Sequence, residues 1–174
     1  VQLANLMMDR GILQSSDGHK GSICQSDSKN LSHVPSNAFD LVFTGYLTPL
    51  WDPLGFQKDG MEDDAVFDHY EAICDGKEQH HETLMKKWRT RQEAWYVDWV
   101  GEMIRIAKPG ASIIAEQISQ TYCDNTDDWD GVTQEFWQRQ VKQHWNVKDL
   151  EMETNAVNPK RFNVYMRKKR LGER

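Results

Sequence analysis

The run Asn37-Ala38-Phe39-Asp40-Leu41-Val42-Phe43-Thr44-Gly45 constrains the fold more than any other stretch of the chain. From Phe39 to Phe43 it is apolar except at Asp40, with the breaker-rich Val34-Pro35-Ser36-Asn37 before it and Gly45 after it. A short apolar run between turn signals predicts a buried strand of a parallel sheet, covered on both faces. Open α/β sheets bind ligands just beyond the carboxyl ends of such strands, which singles out Thr44, Gly45 and Tyr46. On its own the run fits an ordinary core strand and turn equally well.

The flanking pattern decides the fold class. Val1 to Arg10 reads as a helix, with Leu3, Leu6 and Met7 at helical spacing and Gly11 as its stop. Gly21 to Asp27 follows a polar loop and reads as a short strand with an acidic end. Residues 47–81 form an insertion. Pro49 and Pro53 deny it regular structure at first, and Asp63 to Ile73 then gives a short amphipathic helix. Glu82 to Ala107 is the longest helical pattern, with Met85, Trp88, Trp95, Trp99, Met103 and Ile106 on one stripe. Lys108-Pro109-Gly110 ends it, and Ala111 to Glu116 is a second buried-type strand. A helix over Val132 to Trp145 comes next, then a strand around Val147, Leu150 and Met152. Asn155 to Lys160 reads as a hairpin loop, and Phe162, Val164 and Met166 alternate with polar neighbours as a last strand. Strands alternating with helices make an α/β sheet, and a closing antiparallel hairpin is unusual in that class.

Composition narrows the partners. A chain of 174 residues is enough for one domain with a core, and 39% hydrophobic content excludes a wholly disordered chain. No apolar run is long enough to span a bilayer. A net charge of −6 makes a nucleic-acid backbone an unsuitable main partner, the basic run Arg167 to Arg170 being a local exception. Cys24, Cys74 and Cys123 are widely spaced and odd in number, which predicts free thiols and a cytoplasmic setting.

The ordered set of motifs resembles the C-terminal two-thirds of a class I S-adenosylmethionine-dependent methyltransferase. Ile23-Cys24-Gln25-Ser26-Asp27 is similar to that family's third strand and its acidic end, and Ala38 to Phe43 to its fourth strand. Met103 to Ala111, with Lys108-Pro109-Gly110, resembles the helix end and turn before the fifth strand, and the final hairpin resembles the sixth and seventh. The resemblance covers about Val1 to Met166. It implies a Rossmann-like sheet of order 3-2-1-4-5-7-6 whose first two strands and glycine-rich turn have no counterpart here. The expectation is therefore a single partial methyltransferase domain over 1–174, the 47–81 insertion serving as a lid.

The same resemblance implies S-adenosylmethionine as cofactor, with Asp27 accepting from the adenine amino group and Ser28 beside it. Thr44, Gly45 and Tyr46 would line the methyl-donor side. The amino-methylating Asn/Asp-Pro-Pro-aromatic signature is absent there. Trp51, Phe56, Phe67 and Tyr70 would offer apolar lid surface to a small-molecule acceptor. Methyl transfer is an in-line displacement in which positioning and water exclusion dominate. A hydroxyl acceptor would need a base, for which His69, His80, His81 and Glu116 are the candidates, each also readable as an ordinary solvated residue. The histidines with Asp68 and Cys74 match no common zinc spacing, so no metal is expected. Two alternatives stand beside this reading: a noncatalytic methyltransferase-like binding module, and another Rossmann-like enzyme such as an NAD-dependent oxidoreductase. Oligomeric state is not readable. Because the glycine turn is missing, the chain as given should bind S-adenosylmethionine weakly by calorimetry; micromolar affinity would overturn that expectation.

Overall fold

The computed structural model describes residues 27–45, 52–119, 132–143, 145, 150–158 and 161–170. In chain order these contain β1 (Phe39–Gly45), a 3-10 turn (Gln57–Asp59), α1 (Asp63–Cys74), α2 (His81–Ile106) and β2 (Ala107–Ser119). They continue with α3 (Gln134–Gln143), β3 (Leu150–Asn158) and β4 (Arg161–Lys168). The helix and strand expected before residue 27 lie outside the described residues.

One mixed sheet has the order β1-β2-β4-β3. β1 pairs parallel with β2, whereas β4 pairs antiparallel with both β2 and β3. Parallel neighbours require a crossover, here supplied by α1 and α2. α2 ends where Ala107 turns extended, just before Lys108-Pro109, as the pre-proline restriction predicts. The strand begins at Ala107 and not at Ala111, because Lys108 to Ala111 make an excursion between the Phe39↔Ala107 and Leu41↔Ser112 pairs. Gly110, at φ 88°, permits it.

The main core lies on one face of this sheet. Ala111, Ile113, Ala115 and Ile118 of β2 join Val42, Phe162, Val164 and Met166 in a single buried cluster. Against them pack Tyr96, Trp99, Val100, Met103 and Ile106 of α2 and Phe136 and Trp137 of α3. Tyr96 meets Phe136 and Trp137 edge to face at centroid distances of 6.3 and 6.2 Å, and Trp137 meets Trp145 at 5.5 Å. Each ring buried in this way contributes about 1.5–3 kcal/mol by transfer alone.

The opposite face corrects the expectation of a sheet covered on both sides. Leu41 and Phe43 are 56% and 58% exposed, and Val42 is the buried residue of β1. Their apolar character gives β1 its strand propensity, yet among the described residues both α2 and α3 pack on the Val42 side. A continuous apolar run reports what could be buried, not how many layers are present.

The insertion is also more structured than its prolines suggest. Leu54, Val66, Tyr70, Ile73 and Trp88 form a second buried cluster, flanked by Phe56, Met61, Leu84 and Met85. Asp52 organises it. Its Oδ1 accepts from the backbone N–H of Gly55 (3.0 Å) and Phe56 (3.1 Å) and from the Tyr70 hydroxyl (2.6 Å). Its Oδ2 accepts from the Gln57 N–H at 3.0 Å. Tyr70 in turn accepts from the Leu54 N–H, and Arg91 donates to the carbonyls of Pro53 and Leu54. Of the residues expected to give the lid an apolar surface, Tyr70 is buried, Phe56 is packed against it, and Phe67 is exposed. Trp51 lies outside the described residues.

Two further expectations change. Cys74 is disulfide-bonded, against the free thiol expected at that position, which weakens the argument for a reducing compartment. No helix among the described residues is long and apolar enough to cross a membrane. The expected hairpin loop shortens, because Asn155↔Asn163, Ala156↔Phe162 and Asn158↔Arg161 continue the β3–β4 ladder. Polar residues suffice there because the outer part of β3 is exposed and need not alternate.

Replacing Tyr70 with Phe keeps the ring but leaves the buried Leu54 N–H without its acceptor. The urea midpoint should fall by the equivalent of about 1–3 kcal/mol at unchanged slope. Burial raises the Asp52 carboxyl, but the bonds from Tyr70, Gln57, Phe56 and Gly55 outweigh it and leave it below its ordinary value of 3.8. Its contribution is therefore complete above that value and is lost as pH falls through the lower folded value. Acid unfolding of the Tyr70→Phe variant should begin at higher pH than in the parent.

Candidate functional site

The parallel pairing of β1 with β2 brings Thr44 opposite Ala115 and Gly45 opposite Glu116. These are the carboxyl ends of the two strands, where an open α/β sheet leaves room for a ligand. Of the residues singled out from the sequence, the structure brings Thr44, Gly45 and Glu116 to one edge. Tyr46 lies outside the described residues.

A β-bulge shapes this edge. Ala115 pairs with Val164 and Ile118 with Phe162, so Glu116 and Gln117 together oppose Asn163. Gln117 takes a left-handed conformation at φ 58°, unusual for a side chain of its length. Three side chains support it. The Gln117 N–H donates to Asn163 Oδ1 at 2.9 Å, and Arg161 Nη1 donates to the Gln117 carbonyl at 2.8 Å. Asn163 Nδ2 donates to the Tyr165 hydroxyl at 3.2 Å.

The hydrophobic register explains the bulge. Ala111, Ile113 and Ala115 face the helices at odd positions, and Ile118 must join them from an even one. Without an extra residue Gln117 would enter the core. The sequence does carry this signal, a change of parity between Ala115 and Ile118, although the bonded partners on β4 are not readable from it.

Gly45 is used for space. A Cβ there would come within 3.3 Å of the Phe43 ring. The Phe43 ring therefore lies against Gly45 on the open face.

Asp27 and Ser28 are not brought to this edge. The Asp27 carboxylate accepts from the Lys29 N–H at 3.0 Å, closing a local turn. The segment after it is fastened to the last turns of α2. Leu31 N–H donates to Glu102 Oε2, and Arg105 donates to the carbonyls of Leu31 and Val34 and to Ser36 Oγ. Asn37 and Ala38 then donate to the Arg105 and Ile106 carbonyls at the start of β1. Gly45 lies six residues beyond Phe39, about 20 Å further along the strand.

The three candidate histidines lie in and after α1, and His69 meets the rim of the second cluster. His69 Nδ1 is 3.1 Å from Glu78 Oε1, and its ring meets Phe56 edge-on at 4.6 Å. His80 is exposed in a left-handed conformation before α2, and His81 opens that helix. Among the described residues no hydrogen bond or ion pair joins them to Thr44, Gly45 or Glu116. The described residues contain no cluster of His, Cys, Asp and Glu suited to a metal ion.

The chain matches no family model, and no curated protein resembles it in sequence. Its fold is similar to that of a SAM-dependent methyltransferase from Methanosarcina mazei, with TM-score 0.51 and 14% identity over 98% of this chain and 77% of that one. A possible exported protein from Bordetella parapertussis aligns over 83% of this chain and 43% of its own, with TM-score 0.37 and 12% identity. The first likeness supports a methyltransferase-like α/β fold; the second is too weak to carry an argument.

Replacing Asn163 with Leu removes the acceptor of the Gln117 N–H without changing side-chain volume greatly. The fold should lose about 1 kcal/mol in urea denaturation. The Gln117 amide should exchange with deuterium faster than its neighbours.

Proposed function

We propose that this chain forms part of a class I S-adenosylmethionine-dependent methyltransferase domain acting on a small-molecule acceptor. The observation that carries the reading is the strand order β1-β2-β4-β3 with β4 antiparallel to both neighbours. It agrees with the fourth, fifth, seventh and sixth strands of the sheet that the sequence resemblance implies. The Methanosarcina protein, described as a SAM-dependent methyltransferase, supports the same assignment through its fold.

The fit to the cofactor is uneven along the edge. Thr44, Gly45 and Tyr46 are proposed to line the methyl-donor side. Asp27 is bonded within its own turn, so no step is drawn through it or through Ser28. S-adenosylmethionine, when bound, supplies a methyl group on a sulfonium centre. The protein's part is to orient the acceptor in line with that group and to exclude water. Glu116, opposite Gly45, is the proposed group that accepts a proton or hydrogen bond from the acceptor. His69, His80 and His81 have no proposed part in the transfer.

The test is label transfer. The natural full-length protein, incubated with methyl-labelled S-adenosylmethionine and a panel of small amines, alcohols and thiols, should label at least one of them. S-adenosylhomocysteine should inhibit the transfer. Binding of the donor without transfer to any acceptor class would favour the noncatalytic module, and absence of both would overturn the reading.

A further inference from the structure

Five carboxylates among the described residues are half-buried: Asp52, Glu78, Glu93, Glu102 and Glu116. Four of them are matched within the fold. Asp52 accepts from Tyr70 and three backbone N–H groups, and Glu78 meets His69. Glu93 pairs with Arg139, and Glu102 takes two bonds from Arg105 and one from the Leu31 N–H. Glu116 alone has no hydrogen bond or ion pair among the described residues. Partial burial without a partner is unfavourable for an ionised carboxylate, which asks what the position is for.

Its surroundings give an answer. Register partners in parallel strands project to the same face, so Glu116 projects beside Gly45 on the face where the Phe43 ring lies. Phe43 stands two residues before Gly45 on that face and is 58% exposed. Its ring edge is 3.3 Å from where a Gly45 Cβ would lie. The bonds from Asn163 and Arg161 fix the bulge at Gln117 and hold the Glu116 backbone against β1. A negative charge and an exposed aromatic ring thus stand side by side on one face.

We propose that Glu116 and the Phe43 ring beside Gly45 form a recognition notch for an organic cation, an ammonium or sulfonium centre carrying apolar groups. The carboxylate supplies opposite charge, and the ring attracts a weakly hydrated cation through its quadrupole. The net charge of −6 raises the local concentration of such a ligand. The proposal rests on the methyltransferase reading for the origin of the cation, which is either the sulfonium of the methyl donor or the ammonium of an amine acceptor.

Nuclear magnetic resonance titration tests it with choline and its uncharged isostere 3,3-dimethylbutan-1-ol. Choline should shift the Gly45 and Glu116 amides and bind about tenfold more tightly than the isostere. Glu116→Gln, which keeps size and hydrogen-bonding capacity, should remove that preference. Phe43→Leu should weaken choline several-fold, and Glu153→Gln on β3 should leave it unchanged. Equal binding of choline and isostere, or an undiminished preference in Glu116→Gln, would overturn the notch.

A second arm compares S-adenosylmethionine with the uncharged S-adenosylhomocysteine. A preference for the former that vanishes in Glu116→Gln assigns the notch to the donor sulfonium. Equal binding of the two beside a retained choline preference assigns it to an amine acceptor. If the natural full-length protein binds neither nucleoside, the methyltransferase reading fails while the choline result still decides the notch.

Discussion

The contact between α2 and the small residues of β2 is the constraint on which the rest of the structure depends. Ala107, Ala111 and Ala115 are all buried, and their short side chains let the heavy residues of α2 lie close to the sheet. Tyr96, Trp99 and Met103 fill the space so made, and α3 adds Phe136 and Trp137 beside them. β2 is also the strand that pairs both ways, parallel to β1 and antiparallel to β4. Larger residues at the alanine positions would lift α2 and unseat the aromatic layer at the same time. Lys168 secures the far end, donating to the Ile104 and Ala107 carbonyls and to Asn37, so that β4, α2 and the entry to β1 share one lysine.

The same contact creates the functional edge. Because Ile118 must return to the face that Ala115 occupies, β2 spends an extra residue between them. The bulge falls at the carboxyl end of the strand, where it costs the ladder least and where a ligand would sit. Core packing and site geometry are therefore not separate inventions here. The parity of β2 that satisfies the core decides where Glu116 stands relative to Gly45.

Much of the fold is legible in the residues, and the exceptions have definite causes. α2 can be read from its tryptophan stripe, α1 from Val66, Tyr70 and Ile73, and β4 from Phe162, Val164 and Met166, because periodicity reports a buried face directly. What periodicity cannot report is how many faces are buried, so the run from Phe39 to Phe43 suggests two covered sides where the described residues provide one. Nor can it report specific bonds. The Asp52–Tyr70 pair joins positions 18 apart through a loop whose prolines look only disruptive. At the site, Thr44, Gly45 and Glu116 are legible because strand ends are. Asn163 and Arg161 are not, because their role depends on a ladder register. Asp27 reads as a ligand-binding acid only through its place after an apolar run, and its carboxylate closes a local turn with the Lys29 N–H.

Glu116 could be explained without any ligand if it were simply a charge that keeps the open face solvated. That account suits Glu151 and Glu153, which are exposed on β3, the first of them 3.7–3.8 Å from Lys169 and Arg167. It suits Glu116 less well. A solubilising charge is effective when its side chain is free to reach water, and Glu116 is half-buried on a backbone fixed by bonds from β4. Among the described residues every other half-buried carboxylate has its partner within the fold, and Glu116 is the one for which the proposed ligand would supply it.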